Sequence, residues 1–411
     1  MQGITSNDRS PDSAPRAAGL VCQILVVTGC RLLLNTARRF AYPFAPVLGR
    51  GLQVPLTSIT SILAVSQLTG FIGFLGGPLA DRWGYRRMML VGLGLLAVGM
   101  LSVGFVPIYL IAFLGLVLAG IGKTLFDPAV YGYTSRSVPF SQRGRVTGLM
   151  EFSWAASALI GIPLAGVLME KQGWQAPFWY MGLLGVIGVV CVWKLIPRDR
   201  PATSASDTER FGEKVLALIG ERRALGLMGM VFFMSIGNDQ LFVVYAAWME
   251  DAYKVSIVTL GLGTGVIGAA ELCGESFTAL IGDRVGLRKA ALVGTSLSIL
   301  GYLLLPVFSK GLPSALGGLF FIFLVFEFSM VCGISLSTEV LPGSRATMMA
   351  AFYSAAGVGR MIGAFIGGPV WLMGGVVAVT SLSAMVSAAG LACLVWGGPM
   401  QRNSNPTSGT P

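Results

Sequence analysis

The sequence predicts an all-α integral membrane protein: twelve transmembrane helices in two pseudo-symmetric six-helix bundles. Three observations carry that expectation. Hydrophobic residues fill 54% of the 411 positions and charged residues only 12%, with a mean hydropathy of +0.74, where soluble domains carry about 25% charge. Between Ala18 and Trp396, apolar runs of the roughly 20 residues that cross a hydrocarbon core recur twelve times. A charged turn, Gly77-Pro78-Leu79-Ala80-Asp81-Arg82-Trp83-Gly84-Tyr85-Arg86-Arg87, is echoed 202 positions later by Ile281-Gly282-Asp283-Arg284-Val285-Gly286-Leu287-Arg288-Lys289. Half the chain separates the copies, so each bundle carries one.

In order, the spans are expected at 18–42, 56–77, 88–106, 108–132, 146–169, 174–196, 224–246, 258–281, 288–308, 313–337, 346–371 and 375–397, the last two divided by little more than Gly374-Gly375. Residues 1–17 and 398–411 are polar tails without the pattern of a cleavable signal. The domains are then 18–196 and 224–397, joined by a polar central loop at 197–223 whose residues 213–219 suit a short amphipathic helix.

Charge placement orients the bundle. On one side the connections and span ends hold 20 of the 29 Lys and Arg residues; the other side holds only Arg50, Lys171, Lys254 and Lys310. The positive-inside rule puts both termini in the cytoplasm. The net charge of +10 is thus a topology signal scattered over loops, not a nucleic-acid patch. All six cysteines fall inside spans, so no disulfide framework is implied. The absence of histidine excludes His-ligated metal sites and His proton relays. No Asn-x-Ser/Thr acceptor lies in an outer loop, which favours a bacterial inner membrane.

The duplicated Gly-x-x-x-Asp-Arg-x-Gly-x-Arg-Arg turn between the second and third spans, in a twelve-span chain with a long central loop, resembles the major facilitator superfamily of secondary transporters. The resemblance covers residues 18–397 and is weaker in the second copy, where Ala279 replaces the leading glycine. It implies a conformational latch built from Gly77, Asp81, Arg82, Gly84, Arg86, Arg87, Asp283, Arg284, Gly286 and Arg288. Asp81 would face the helix start near Arg345, and Asp283 the start near Arg145. These contacts would hold the cytoplasmic side shut and break when the carrier turns inward.

On the fifth span Gly148, Ser157, Gly161, Pro163 and Gly166 form a small-residue stripe similar to the glycine-proline signature of antiporters, interrupted here by Ile162. Gly161, Pro163 and Gly166 would act as a hinge, paired with Gly357 to Pro369 on the eleventh span. The fourth span resembles exporter helices in Gly120, Gly122 and Pro128, with Leu116 where arginine is expected. Lys123 either replaces that cation beside Asp127 or forms a local i,i+4 pair with it.

Ionisable groups inside a membrane are costly, so each is a functional candidate. The first span offers Arg31, Arg38 and Arg39; the fifth Glu151; the seventh Asn238 and Asp239; the eighth Glu271 and Glu275 on one face; the tenth Glu327; the eleventh Arg360. The cavity-lining helices implied by the resemblance promote Arg38, Lys123, Asp127, Asn238, Asp239, Glu271, Glu275, Glu327 and Arg360. Asp239 or Glu271 is the expected proton site, the alternative being that Glu271 merely pairs with Arg360 or Arg38. Of Phe40, Tyr42, Phe44, Phe126, Phe242, Tyr245, Trp248 and Tyr353, most are expected at the lipid or interfacial surface.

The expected function is proton-coupled efflux of a small organic solute, cationic or amphiphilic, by alternating access. The alternatives are transport of a metal or other inorganic cation on the carboxylates, or uptake of a small metabolite. Nothing in the sequence supports an enzyme: there is no Walker loop and no soluble domain. No cofactor is expected. The partners are substrate, protons and lipid, and the chain is expected to work as a monomer.

Overall fold

The computed structural model describes residues 17–72, 82–198, 218–340 and 345–398, and every regular element among them is helical. Ten helices are long and apolar enough to cross a membrane, and an eleventh segment is a bent pair, Ala45–Leu52 and Leu56–Leu68, at 115°. The twelfth span is hidden in Arg345–Trp396, which is interrupted by non-helical backbone at Gly374 and Gly375. Two arms of this element run in opposite directions along the seventh span. Gly359, Gly363 and Gly367 lie on Phe232, Ile236 and Gln240 in rising order, whereas Ser383 and Cys393 meet Gly237 and Gly229 in falling order. Gly375, at φ 60 and ψ −151, occupies backbone space open essentially to glycine alone, which makes the reversal possible.

The spans are therefore Ala17–Arg39; Leu56–Leu68 with a 3₁₀ turn at Thr69–Ile72; Tyr85–Phe105; Tyr109–Ser137; Phe140–Ala156 continuing through Ile162–Gln172; Ala176–Leu195; Arg222–Tyr253; Ile257–Val285; Leu287–Phe308; Leu312–Val340; and the two arms just described. One departure from the expected spans follows the first helix. It ends at Arg39, and the chain turns through 40–44 into the separate short helix Ala45–Leu52, stopped by Gln53 in the left-handed region. The connection expected between the spans 18–42 and 56–77 thus holds a helix of its own. The fifth span contains a π turn at Ser157–Gly161, just before Pro163, whose missing N–H and ring disturb the helical ladder.

The termini share one end of the bundle. Gln23 donates to the Leu195 carbonyl, and the Arg222 guanidinium lies over the Trp396 ring, so the first span meets the sixth there and the seventh meets the twelfth. At the opposite, far end the two halves are clamped together. Arg50 forms two hydrogen bonds to Glu250, at 2.8 and 3.0 Å, and Glu170 Oε2 accepts from the Val258 backbone N–H at 3.2 Å.

Small residues let the halves approach. A Cβ on Gly268 would stand 2.6 Å from the Ala158 Cβ, one on Gly261 3.1 Å from Pro163 Cα, and one on Gly368 2.8 Å from Thr60 Oγ1. The fifth span therefore packs antiparallel on the eighth, and the second on the eleventh. Gly161 and Gly166 face Thr36 and Phe44, and Gly363 and Gly367 face the seventh span. The fifth and eleventh stripes thus serve separate interfaces.

The aromatic expectation is corrected. Phe40, Tyr42, Phe44, Phe126, Phe242, Tyr245 and Trp248 are all buried, and only Tyr353, at 54%, is exposed. The first and seventh spans run through the bundle interior, so rings near their far ends pack rather than meet lipid.

Candidate functional site

Charged residues gather near the middle of the spans. In the first half, three elements build one cluster around Arg31. Its guanidinium donates to the Met150 carbonyl at 2.5 Å, to Tyr131 at 2.7 Å and to Glu151 at 3.3 Å, and its Nε lies 3.4 Å from Asp127. Lys123 completes it through Asp127 at 2.5 Å. Lys123 thus makes the i,i+4 pair, and Asp127 is shared between it and Arg31. Tyr131 donates to Glu151. Asn35, one turn on from Arg31, donates to Ser153 at 3.2 Å.

Two links cross between the halves at this depth. Arg39 Nη2 lies 2.6 Å from Glu271 Oε1, with side chains 5% and 8% exposed. A second chain runs from Arg38, which donates to Gln67 at 2.7 Å, through Gln67 to Tyr42, and from Tyr42 to Asp239 at 3.5 Å. Arg360 approaches the other oxygen of Asp239 at 3.9 Å. Tyr42 also stacks on Phe242, with ring centres 4.7 Å apart. Glu271 is thus paired with Arg39, not with Arg360 or Arg38.

The remaining acids line the second half. Glu275 lies one turn from Glu271 on the eighth span, and Glu327 on the tenth packs against Gly274. Among the described residues, neither forms an ion pair. Glu275 is within electrostatic reach of Glu151 and Glu271, and Tyr353 is within reach of Glu151, Glu327 and Arg360. Glu151 is 49% exposed and Tyr353 54%. Glu275 and Glu327 are partly exposed whereas Asp239 and Glu271 are buried, and the Arg39–Glu271 and Tyr42–Asp239 links tie the two halves together beside them. Asn238 is buried beside Asp239 with its Oδ1 unpartnered.

The described part of the repeated turn lies at the terminal end. Gly77 and Asp81 lie outside the described residues, as do the side chains of Arg145, Asp283 and Arg345. What is described is symmetric. Gly84 and Gly286 precede the third and ninth spans at φ 91 and 88. Arg86 donates to the Trp193 carbonyl at the end of the sixth span, and Arg288 to the Leu394 carbonyl at the end of the twelfth. Each arginine thus caps a helix C-terminus inside its own half, where a cation is stabilising. Arg82, Arg87 and Arg284 are exposed.

Gln67, the Arg50–Glu250 clamp and Trp154, whose ring lies 4.3 Å from the Arg39 guanidinium carbon, are residues that sequence reasoning did not bring forward, and Arg39, a candidate of the first span, was not promoted with Arg38. For Arg39 a signal exists: positions 31, 35 and 39 share one helix face, and all three point to partners on other spans. For the clamp there is none.

The duplicated bundle agrees with known proteins. The family model described as Major Facilitator Superfamily matches residues 27–237 and 225–410. The chain belongs to this superfamily. Among curated members of the superfamily, an uncharacterized transporter of Bacillus subtilis, YceJ, is 23% identical over 330 residues, covering 79% of this chain and 84% of that protein. The quinolone resistance protein NorA of Staphylococcus aureus is 22% identical over 214 residues, 51% of this chain and 54% of its own. Among solved superfamily structures, a bacterial homolog of the human lysosomal transporter Spinster, in an inward-facing and unoccupied conformation, superposes with TM-score 0.73 at 14% identity, covering 93% of this chain and 95% of that one. A peptide transporter gives 0.75 at 14% identity, covering 92% and 94%. Members of the superfamily are transporters, and the fold is theirs.

Proposed function

We propose that the chain is a secondary active transporter that works by alternating access and couples proton movement to efflux of a small organic solute, cationic or amphiphilic. The observation that carries this reading is the set of four carboxylates within the spans of the second half, Asp239 and Glu271, each facing an arginine, and Glu275 and Glu327, which form no ion pair among the described residues. Desolvation favours the neutral form of a carboxylate. A proton and a cationic solute then compete for the same anion, and exchange follows from mutual exclusion. Movement of one charge through the membrane potential supplies about 2.3 kcal/mol per 100 mV. Drug efflux is supported by the similarity to NorA and by the glycine-proline stripe of the fifth span.

The arrangement is read as inward-facing, in a bacterial inner membrane with both termini cytoplasmic, because basic residues crowd the terminal side. Asp81 and Asp283 would latch that side in the opposite state. A single chain would suffice, since the carboxylates and the arginines facing them come from its own two halves.

Purified protein in liposomes with an internal pH dye tests the reading. A panel of organic cations, divalent metals and neutral metabolites is added outside, and at least one organic solute is expected to drive proton flux. Glu271→Gln and Asp239→Asn are expected to uncouple flux at whichever site holds the proton. Flux with metals alone would favour the inorganic-cation alternative, and no flux with any solute would end the proton-coupled reading.

A further inference from the structure

The Arg39 side chain occupies a pocket whose chemistry is that of a receptor for an organic cation. Its guanidinium carbon lies 4.3 Å from the centre of the Trp154 ring and 6.0 Å from that of Phe242. Aromatic faces at such distances attract cations. Only one of the two possible arms of its salt bridge is made: Nη2 meets Glu271 Oε1 at 2.6 Å, while Arg39 Nη1 and Glu271 Oε2 are both buried without a partner. Residue exposures of 4% and 6% put both groups beyond the reach of bulk water. Planar guanidinium and carboxylate groups match in a fork, so a half-made bridge marks a contact that leaves capacity on the anion unused.

Other cations do not fill that capacity. Lys123 is 5.7 Å from the Trp154 ring but is held by Asp127. Arg360 leans on Asp239, and Arg38 is bonded to Gln67. Arg39 is also within electrostatic reach of Glu275 and Glu327, so one tethered cation serves three carboxylates.

We infer that the Trp154–Phe242–Glu271 pocket is the seat of a flat organic monocation, and that Arg39 is a tethered stand-in for it which must swing aside when the solute binds. The inference rests on the transport reading and narrows its solute to planar, permanently charged or protonated aromatics. A tethered competitor lowers apparent affinity by the fraction of time the seat is vacant. A seat vacant one tenth of the time makes binding about tenfold weaker than that of the same pocket without its arginine. Removing the arginine should therefore strengthen binding, the opposite of what a simple structural salt bridge or an anion site would give.

The test is equilibrium binding of ethidium, a flat quaternary cation, to the full-length protein in detergent, with uncharged phenanthridine as the control. Arg39→Gln is expected to bind ethidium about tenfold more tightly and phenanthridine unchanged. Arg39→Lys, whose compact ammonium stacks less well on rings, should give a smaller gain, about threefold, and serves if the glutamine variant does not fold. Glu271→Gln and Trp154→Ala should each weaken ethidium binding about tenfold or more. Weaker or unchanged binding in folded Arg39 variants overturns the inference, as does full affinity in Glu271→Gln or Trp154→Ala. Proton flux with neutral solutes and no ethidium binding would remove the seat and leave the carrier. Ethidium binding as expected with no solute-driven flux would do the reverse.

Discussion

Replacing Arg50 with Gln should open the far side of the bundle by an amount that the geometry sets. Arg50 and Glu250 join the two halves through a fork of 2.8 and 3.0 Å, with side chains 62% and 21% exposed. Exposed ion pairs are worth about 0.2–1 kcal/mol, and a two-pronged arginine fork belongs at the upper end. Loss of about 1 kcal/mol changes an equilibrium about fivefold. The ratio of far-side-closed to far-side-open molecules should therefore fall about fivefold. Spin labels on cysteines introduced at Lys171 and Lys254, exposed far-side positions in opposite halves, report that ratio as the share of long distances in pulsed electron resonance.

Salt separates this cause from others. Screening shortens from about 8 Å at 0.15 M to 3 Å at 1 M ionic strength, so 1 M salt should shift the wild type toward the variant and leave Arg50→Gln nearly unmoved. Exchanging the two charges, Arg50→Glu with Glu250→Arg, should restore most of the closed population. An unchanged distance distribution in Arg50→Gln at low salt would refute the clamp, and so would a salt response equal in variant and wild type.

Two further expectations follow from the packing and a third from the repeated turn in the sequence. Gly268→Val places a Cβ 2.6 Å from that of Ala158 and should cost about 1–3 kcal/mol of interface packing, read as a larger far-side-open fraction by the same labels. Gly375→Ala forces a side chain into φ 60, ψ −151 at a cost of about 1–3 kcal/mol, and should lower the melting temperature of the detergent-solubilised protein. Asp81→Asn should slow turnover in liposomes without altering solute preference; a changed preference would move the turn from latch to binding site.

How far the sequence speaks depends on the range over which each feature is encoded. Span number and the final hairpin are local: an apolar run about 20 residues long and a Gly374-Gly375 break are both visible in a short window. The separate helix Ala45–Leu52 escaped because its 8 residues are far short of the roughly 20 that mark a span, so it read as part of a connection. Partners across the halves are another matter. Arg39 and Glu271 are 232 positions apart, and Arg50 and Glu250 are 200 apart, so their pairing depends on the rotation of each helix. That rotation is set by glycines such as Gly261 and Gly268, whose contacts no single-sequence pattern reveals. Arg38 and Arg39 illustrate the limit: adjacent in sequence, they point 100° apart, one to Gln67 within its own half and the other across to Glu271.

The distribution of buried charge explains why the halves need each other and what must replace that need during transport. Near mid-membrane the first half carries four cations, Arg31, Arg38, Arg39 and Lys123, against two acids, Asp127 and Glu151; the second carries one cation, Arg360, against Asp239, Glu271, Glu275 and Glu327. Neither half is balanced alone, and unpaired charge at this depth is costly. The first half answers its own excess with a dense cluster on Asp127 and lends Arg39 to the other side. On the proposed reading, opening of the far side withdraws that loan and would leave Glu271 as an unpaired buried anion, which is strongly unfavourable. Something cationic must arrive as Arg39 leaves. On the proposed reading a proton fills that role in one direction and the organic solute in the other, so exchange follows from a charge deficit built into the second half.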